Sequence, residues 1–183
     1  MIDPTDRLVE RVLVLRCQTG DEAAFEELVR RYSPRLRFYL RKMLGDVHQA
    51  DDALQDVLWD AYRGLPKLSD AGAFPCWVYR IARDRAYREL RRRRPPECAI
   101  DEMELVETAE NDGEFKSEDA EQIHAALDTL AAEHREALML RFIEDMTYDE
   151  IARATGCAVG TVRSRIHYAK RALRRAIERT SES

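Results

Sequence analysis

Wherever the apolar residues of this chain form a pattern, they recur at helical spacing. Val159, Val162, Ile166, Ala169 and Leu173 fall on one stripe of 3.6-residue period, which predicts a helix from about Val159 to Glu178 with that side facing a core. Gly160, Thr161, Ser164, His167, Tyr168, Arg171 and Arg175 lie opposite, with Arg163, Arg165 and Lys170 on the flanks. A shorter helix is expected just upstream, over Tyr148–Thr155. Thr147 stands three residues before Glu150, the spacing of a reciprocal cap, and Met146 can pack onto Ile151 across it. Gly156 supplies the left-handed residue that stops this helix. Two helices joined by so short a Gly-containing turn are a helix-turn-helix, a DNA-binding device.

The same reading fills the first half with helices. Gly20-Asp21 separates a leading helix (about Asp6 to Cys17) from one bearing Phe25, Leu28 and Val29. Ser33-Pro34 reads as a cap followed by a first-turn proline, opening a new helix through Leu36, Tyr39, Leu40 and Met43 to Gly45. Asp46 to Gln49 repeats the capping spacing and opens a helix that runs to Gly64. Its apolar set is Ala50, Ala53, Leu54, Val57, Leu58, Ala61 and Tyr62. The last helix of this half, Phe74 to Arg94, is expected to bury Phe74, Trp77, Val78, Ile81 and Leu90. Beyond the midpoint, helices are expected around Ala120–Leu130 and Glu133–Phe142. No strand pattern or internal repeat stands out, so the fold class is all-α.

Charge then divides the chain. The 183 residues carry a net −5, but Glu97 to Glu121 holds eleven acids and one Lys. Arg80 to Arg94 has eight Arg against two acids, and Arg163 to Arg179 has seven bases against one. Two basic helices thus flank an acidic tether, and each can neutralise phosphates. Pro95-Pro96 ends the arginine run, because proline cannot continue a helix. The expected organisation is two small helical domains, 1–95 and 117–183, joined by an acidic, self-repelling flexible linker over 96–116. At 45% hydrophobic such domains can bury real cores. No apolar run approaches the roughly 18 residues of a membrane span, and Leu8 to Leu15 is too short and too charged for a signal peptide. Cys17, Cys76, Cys98 and Cys157 are scattered singly, which indicates neither disulfides nor a zinc site and suits a reduced, cytoplasmic setting without cofactor or metal.

Three surfaces carry candidate chemistry. Asp52, Gln55, Asp56 and Asp60 make an acidic-polar helix face. Arg80, Arg83, Asp84, Tyr87, Arg88 and Arg91 interleave cations with an aromatic, a track suited to single-stranded nucleic acid, with Trp77 read as core rather than stacking platform. Small polar residues at the start of the helix after Gly156, with Arg beside them, suit entry into a major groove, where Arg grips guanine and Ser or Thr bonds edges or phosphates.

With these segments in place the chain resembles, over nearly its whole length, a bacterial RNA polymerase sigma factor of the extracytoplasmic-function (ECF) group. Gly20-Asp21-Glu22-Ala23-Ala24-Phe25 with Tyr32 resembles that family's opening helix, and Asp51-Asp52-Ala53-Leu54-Gln55-Asp56-Val57 its polymerase-binding signature. Trp77-Val78-Tyr79-Arg80-Ile81-Ala82-Arg83 resembles the helix that engages the −10 promoter element. Leu140-Arg141-Phe142, Thr147-Tyr148-Asp149-Glu150-Ile151-Ala152 and Gly160-Thr161-Val162-Arg163-Ser164-Arg165 resemble the −35-binding domain. The resemblance implies that Asp52, Gln55 and Asp56 contact a coiled coil on the largest subunit of core RNA polymerase. It implies that the loop Leu65–Ala73 holds a flipped −10 base, with Arg80, Arg83, Asp84, Tyr87 and Arg88 beside it. Gly160, Thr161, Arg163, Ser164, Arg165, His167 and Tyr168 would then meet −35 duplex DNA. The acidic tether would follow the channel that later carries RNA, and an anti-sigma factor would cover the polymerase-facing surfaces. The family usually has Glu where Asp56 stands, often Asn at Asp84, and often a capping Ser at Ala158.

Two other functions compete for these residues. A dimeric helix-turn-helix regulator binding duplex DNA without polymerase explains Thr147 to Arg175, but leaves the first domain idle. An enzyme such as a recombinase needs a clustered Ser, Tyr or carboxylate site, and His48, His124, His134 and His167 are dispersed on helices as surface or half-buried structural residues. The expectation is a transcription initiation factor with no catalytic site of its own.

Overall fold

The computed structural model of the chain describes residues 4–93 and 120–181. The expected linker over 96–116, the start of the second domain at 117 and Cys98 lie outside the described residues. The described residues fall into two compact units, one built from the first four helices and the other from most of the chain after residue 120. All their regular structure is helical.

In the first unit, α1 (Pro4–Gln18), α2 (Glu22–Leu44), α3 (Val47–Gly64) and α4 (Phe74–Arg93) surround one core. Asp21 caps α2 by accepting from the Ala24 N–H at 3.1 Å. Asp46 does the same for α3 through the Gln49 N–H at 2.9 Å. Both contacts hold these carboxyls below their ordinary pKa, the backbone hydrogen bond being the largest cause. The Gln49 side chain does not complete the box from its end; its carbonyl oxygen accepts from Arg93. Gly45 sits at φ +69°, the left-handed value at which an L side chain is strained, and so lets α2 turn directly into the Asp46 cap. Tyr32 and Tyr39 on α2 meet Phe74 and Tyr79 on α4 edge to face, with centroids 5.1 and 5.4 Å apart. The Tyr32 hydroxyl also donates to Glu10 on α1. Burial raises the Glu10 pKa, with that hydrogen bond opposing.

Two sequence expectations need correction here. Ser33-Pro34 does not open a helix; α2 is continuous for 23 residues and Pro34 lies inside it. Leu28, Tyr32, Leu36, Tyr39, Leu40 and Met43 form one unbroken buried stripe through the proline, and that burial outweighs the forfeited hydrogen bond. Pro34 is on the exposed side, where the carbonyl it leaves without a donor can reach water. In α4 the buried residues are Phe74, Cys76, Val78, Tyr79, Ala82 and Ala86, whereas Trp77, Ile81 and Leu90 are half-buried.

From residue 120 onward the chain forms α5 (Ala120–Asp128), α6 (Ala132–Leu138), α7 (Tyr148–Thr155) and α8 (Val159–Ser181). Ala126, Leu127, Leu130 and Leu138 pack with Ala169 and Leu173 of α8. After α6 the chain widens into a π turn, Met139–Ile143, closed by the Glu144 N–H donating to the Met139 carbonyl at 3.1 Å. The sequence pattern alone predicts a plain α-helix through this stretch to Phe142. No helix among the described residues is long and apolar enough to cross a membrane.

Candidate polymerase and nucleic-acid interfaces

Along α3, Ala50, Ala53, Leu54, Val57 and Ala61 are buried, and this stripe turns Asp52, Gln55 and Asp56 outward, all exposed. Asp56 is not free of partners. Arg85 of α4 forks across the two helices, reaching Asp56 at 2.9 Å and Asp60 at 2.9 Å. Exposed pairs of this kind are worth about 0–1 kcal/mol, so an incoming cation can compete for either carboxylate. The sequence reading missed Trp59, which is 59% exposed on this same face, and it placed Tyr62 in the core although that ring is 46% exposed. An aromatic one helical turn beyond Gln55 and Asp56, on the polar side of the stripe, is the signal that was there to find.

A short connection leads from α3 to α4. It contains two 3-10 turns, Leu65–Lys67 and Ala71–Ala73. Asp70 opens the second by accepting from the Gly72 N–H at 2.8 Å. The side-chain amide of Gln18, at the end of α1, donates to the carbonyls of Leu65 and Leu68 at 3.2 and 2.6 Å. The loop is therefore fastened from outside its own sequence. Trp77 closes over its start, so near that a Cβ at Gly64 would stand 2.8 Å from Trp77 Cζ2.

On α4, Arg80, Asp84, Arg88 and Arg91 are exposed as the periodicity required. Arg83 and Tyr87 are half-buried, the guanidinium 4.4 Å from the ring centroid. The cation and the aromatic thus form one ordered unit one turn apart, with Arg80, Asp84 and Arg88 beside it on the same side of the helix. Arg93 is turned the other way, donating to the Leu44 carbonyl at 2.8 Å.

In the second unit the expected cap before α7 is present in both directions. The Thr147 N–H donates to Glu150 Oε2 at 2.8 Å, and the Glu150 N–H donates to Thr147 Oγ1 at 3.3 Å. Met146 and Ile151 are both buried beside it. Gly156 has φ +69° and ends the helix as expected. On α8, Val162, Ile166, Ala169 and Leu173 are buried and Val159 half-buried. Of the opposite side and its flanks, Gly160, Arg163, Arg171 and Arg175 are exposed, while Thr161, Ser164, Arg165, His167 and Tyr168 are half-buried.

Local contacts explain the half-burial. Ser164 Oγ donates to the Thr161 carbonyl at 3.0 Å, and Arg165 leans back to Cys157 Sγ at 3.9 Å. Tyr168 stacks obliquely near His134 and edge-on to His167, at 6.4 and 5.6 Å. Burial is the main reason the His134 pKa falls below its ordinary value. The face open for a groove at the start of α8 is thus narrow, with a glycine that leaves room and Arg163 at its edge. Among the described residues, no group of three or more His, Cys, Asp or Glu is placed to hold a metal ion.

Comparison with known proteins assigns both parts of the chain to a family. Residues 28–95 match the family Sigma-70 region 2, and residues 120–173 match Sigma-70, region 4. The chain is 36% identical over 184 residues to the ECF RNA polymerase sigma-E factor of Escherichia coli, covering 92% of this chain and 94% of that one. It is 34% identical over 182 residues to the RNA polymerase sigma-H factor of Pseudomonas aeruginosa, again covering 92% and 94%. Among solved structures it is similar to the sigma factor RpoE of Bartonella quintana in complex with the anti-sigma factor NepR. That likeness has a TM-score of 0.63 at 25% identity, over 84% of this chain and 96% of that one. Two sigma-70 regions in order on one helical chain, with relatives matched almost end to end, place this protein in the ECF group of sigma factors, non-enzymatic initiation factors that direct RNA polymerase to promoters.

Proposed function

We propose that the three surfaces divide the work of promoter recognition as follows. The exposed α3 residues Asp52, Gln55 and Asp56 grip a coiled coil on the largest subunit of core polymerase. The loop between α3 and α4 captures an unpaired −10 base, while Arg80, Arg83, Tyr87 and Arg88 follow the strand and Asp84 tunes which base is accepted. The start of α8, with Gly160, Thr161, Arg163, Ser164, Arg165, His167 and Tyr168, sits in the major groove of the −35 duplex. In this scheme residues 1–95 and 117–183 act as separate modules and the acidic segment over 96–116 occupies the RNA channel. An anti-sigma factor, of the kind that accompanies the Bartonella relative, covers the polymerase-facing surfaces until it is released. The protein works in the cytoplasm, where the polymerase is.

The observation that carries this reading is the exposure of Asp52, Gln55 and Asp56 together, at the position of the polymerase-binding signature, on a helix whose buried stripe is complete without them. Two weak DNA contacts become one tight one only when a scaffold holds them at the right separation, which raises their effective concentration. Run-off transcription with purified core polymerase on genomic fragments identifies a promoter, and a gel shift on that promoter then tests the reading. Tight binding is expected only with core present. Comparable affinity for the free protein, with a dimer in size-exclusion chromatography, overturns it in favour of a conventional duplex-binding regulator.

A further inference from the structure

We infer that Trp59 and Tyr62 form the apolar anchor of the polymerase interface, an inference that rests on the reading of α3 as the polymerase-binding helix. Trp59 is 59% exposed and Tyr62 46%, and their rings stack with centroids 6.2 Å apart at 25°. Tyr62 is braced from behind by Phe25, edge to face at 5.0 Å. Tyr62 is thus packed from behind while facing solvent and Trp59 stacks on it, an arrangement that lowers the entropy an aromatic loses on binding.

Helical geometry makes this pair continuous with the acidic residues. At 100° per residue, Asp52, Gln55, Asp56, Trp59 and Tyr62 lie on one side of α3, and Trp59 falls near the centre of that side. The ridge spans about 15 Å at 1.5 Å per residue. Exposed carboxylates contribute little to affinity when they stay wet, and here Arg85 already engages Asp56 and Asp60 from the α4 side. Interfaces draw most of their energy from a desolvated centre, in which Trp and Tyr are enriched and a polar rim excludes water. Asp52, Gln55 and Asp56 supply such a rim beside Trp59. The occupant is then an amphipathic coiled coil that brings cations to the carboxylates and an apolar position to the indole.

The test titrates core RNA polymerase of Escherichia coli into the dye-labelled full chain and reads anisotropy at several salt concentrations. Trp59→Ala is expected to weaken core binding at least about tenfold while leaving the salt slope of the wild type intact. Trp59→Phe is expected to recover most of the affinity. Asp52→Asn with Asp56→Asn should instead flatten the salt slope. Thermal denaturation should be unchanged for Trp59→Ala, because the side chain is mostly exposed. Core binding of Trp59→Ala within twofold of wild type overturns the inference. If the double Asn variant is weakened in that case, the α3 reading survives alone; if neither variant is weakened, that reading falls as well. Sedimentation supplies the remaining outcome: a wild-type dimer that Trp59→Ala dissociates, with core binding intact, assigns the ridge to a second copy and overturns the inference.

Discussion

Gln18 donates to the carbonyl of Leu68 at 2.6 Å, fifty residues away in sequence. With its second bond to Leu65, it is a donor-only tether on the loop proposed to capture a −10 base. Gln18→Glu keeps the shape but replaces the amide donors with an anion facing two carbonyls. It should destabilise the first unit by about 1–3 kcal/mol, the cost when the part-buried Leu68 carbonyl loses its side-chain donor and faces an anion; the Leu65 carbonyl keeps the Leu68 N–H. Open-complex formation by the holoenzyme should fall, with affinity for core polymerase unchanged, and Gln18→Lys should restore part of it by returning N–H donors. Equal open-complex yields for all three proteins, measured by permanganate footprinting, would rule the tether out.

Gly64 is the next point of sensitivity. A methyl there would enter the Trp77 indole at 2.8 Å, and that ring is half-buried against Phe74 with centroids 5.9 Å apart. Alanine gains about 1 kcal/mol of helix propensity over glycine, but overpacking costs about 1–3 kcal/mol. The net expectation for Gly64→Ala is a modest loss of stability in urea denaturation. A stabilised variant would mean that Trp77 swings away freely.

At the start of α8 the chain forgoes a cap. The Ala158 carbonyl accepts from the Val162 N–H at 3.1 Å, so Ala158 holds the capping position with no side chain to serve it. Ala158→Ser supplies that oxygen and should add about 1 kcal/mol to the second unit. Urea midpoints for the two proteins decide it. Promoter selectivity of the holoenzyme should be retained, because the change precedes Gly160.

His134 gives the second unit a pH dependence. Its pKa in the folded chain lies below 6.5, chiefly through burial, with Arg165 acting the same way and Glu133 opposing. The unfolded chain takes up a proton first as the pH falls, so stability declines from about pH 6.5 downward through the folded value. His134→Gln should flatten that part of a stability–pH curve. Asp21 and Asp46, lowered from 3.8 by their cap bonds, lose their contribution only as the pH falls below that range. Glu10 acts in the opposite sense, because burial raises its value above 4.5 and its charged form weighs against folding at higher pH.

Most of the helices were legible because burial, capping and stop signals coincide in them. Thr147, Glu150, Met146, Ile151 and Gly156 all point to one short helix, and the chain forms it. Pro34 misled because a local signal, Ser followed by Pro, was weighed above a buried stripe that runs unbroken on either side of it. Trp77 and Tyr62 were assigned to the core by type and period, yet each lies at the margin of its stripe, where neighbouring helices decide exposure. The partnerships of Ser164 and Arg165 were invisible for a different reason. A hydroxyl that bonds its own helix and a guanidinium that folds back on Cys157 depend on rotamers, and periodicity carries no information about rotamers.

The Arg85 fork joins α3 to α4 between the surface proposed for polymerase and the one proposed for DNA. A contact that draws Asp56 outward leaves Arg85 on Asp60 alone, at a cost of no more than about 1 kcal/mol because both carboxylates are exposed. On the proposed division of labour, seating on the enzyme and gripping melted DNA are therefore coupled only weakly through this side chain. On that proposal a lineage could change its fit to polymerase through position 56 and leave its promoter preference nearly where it was.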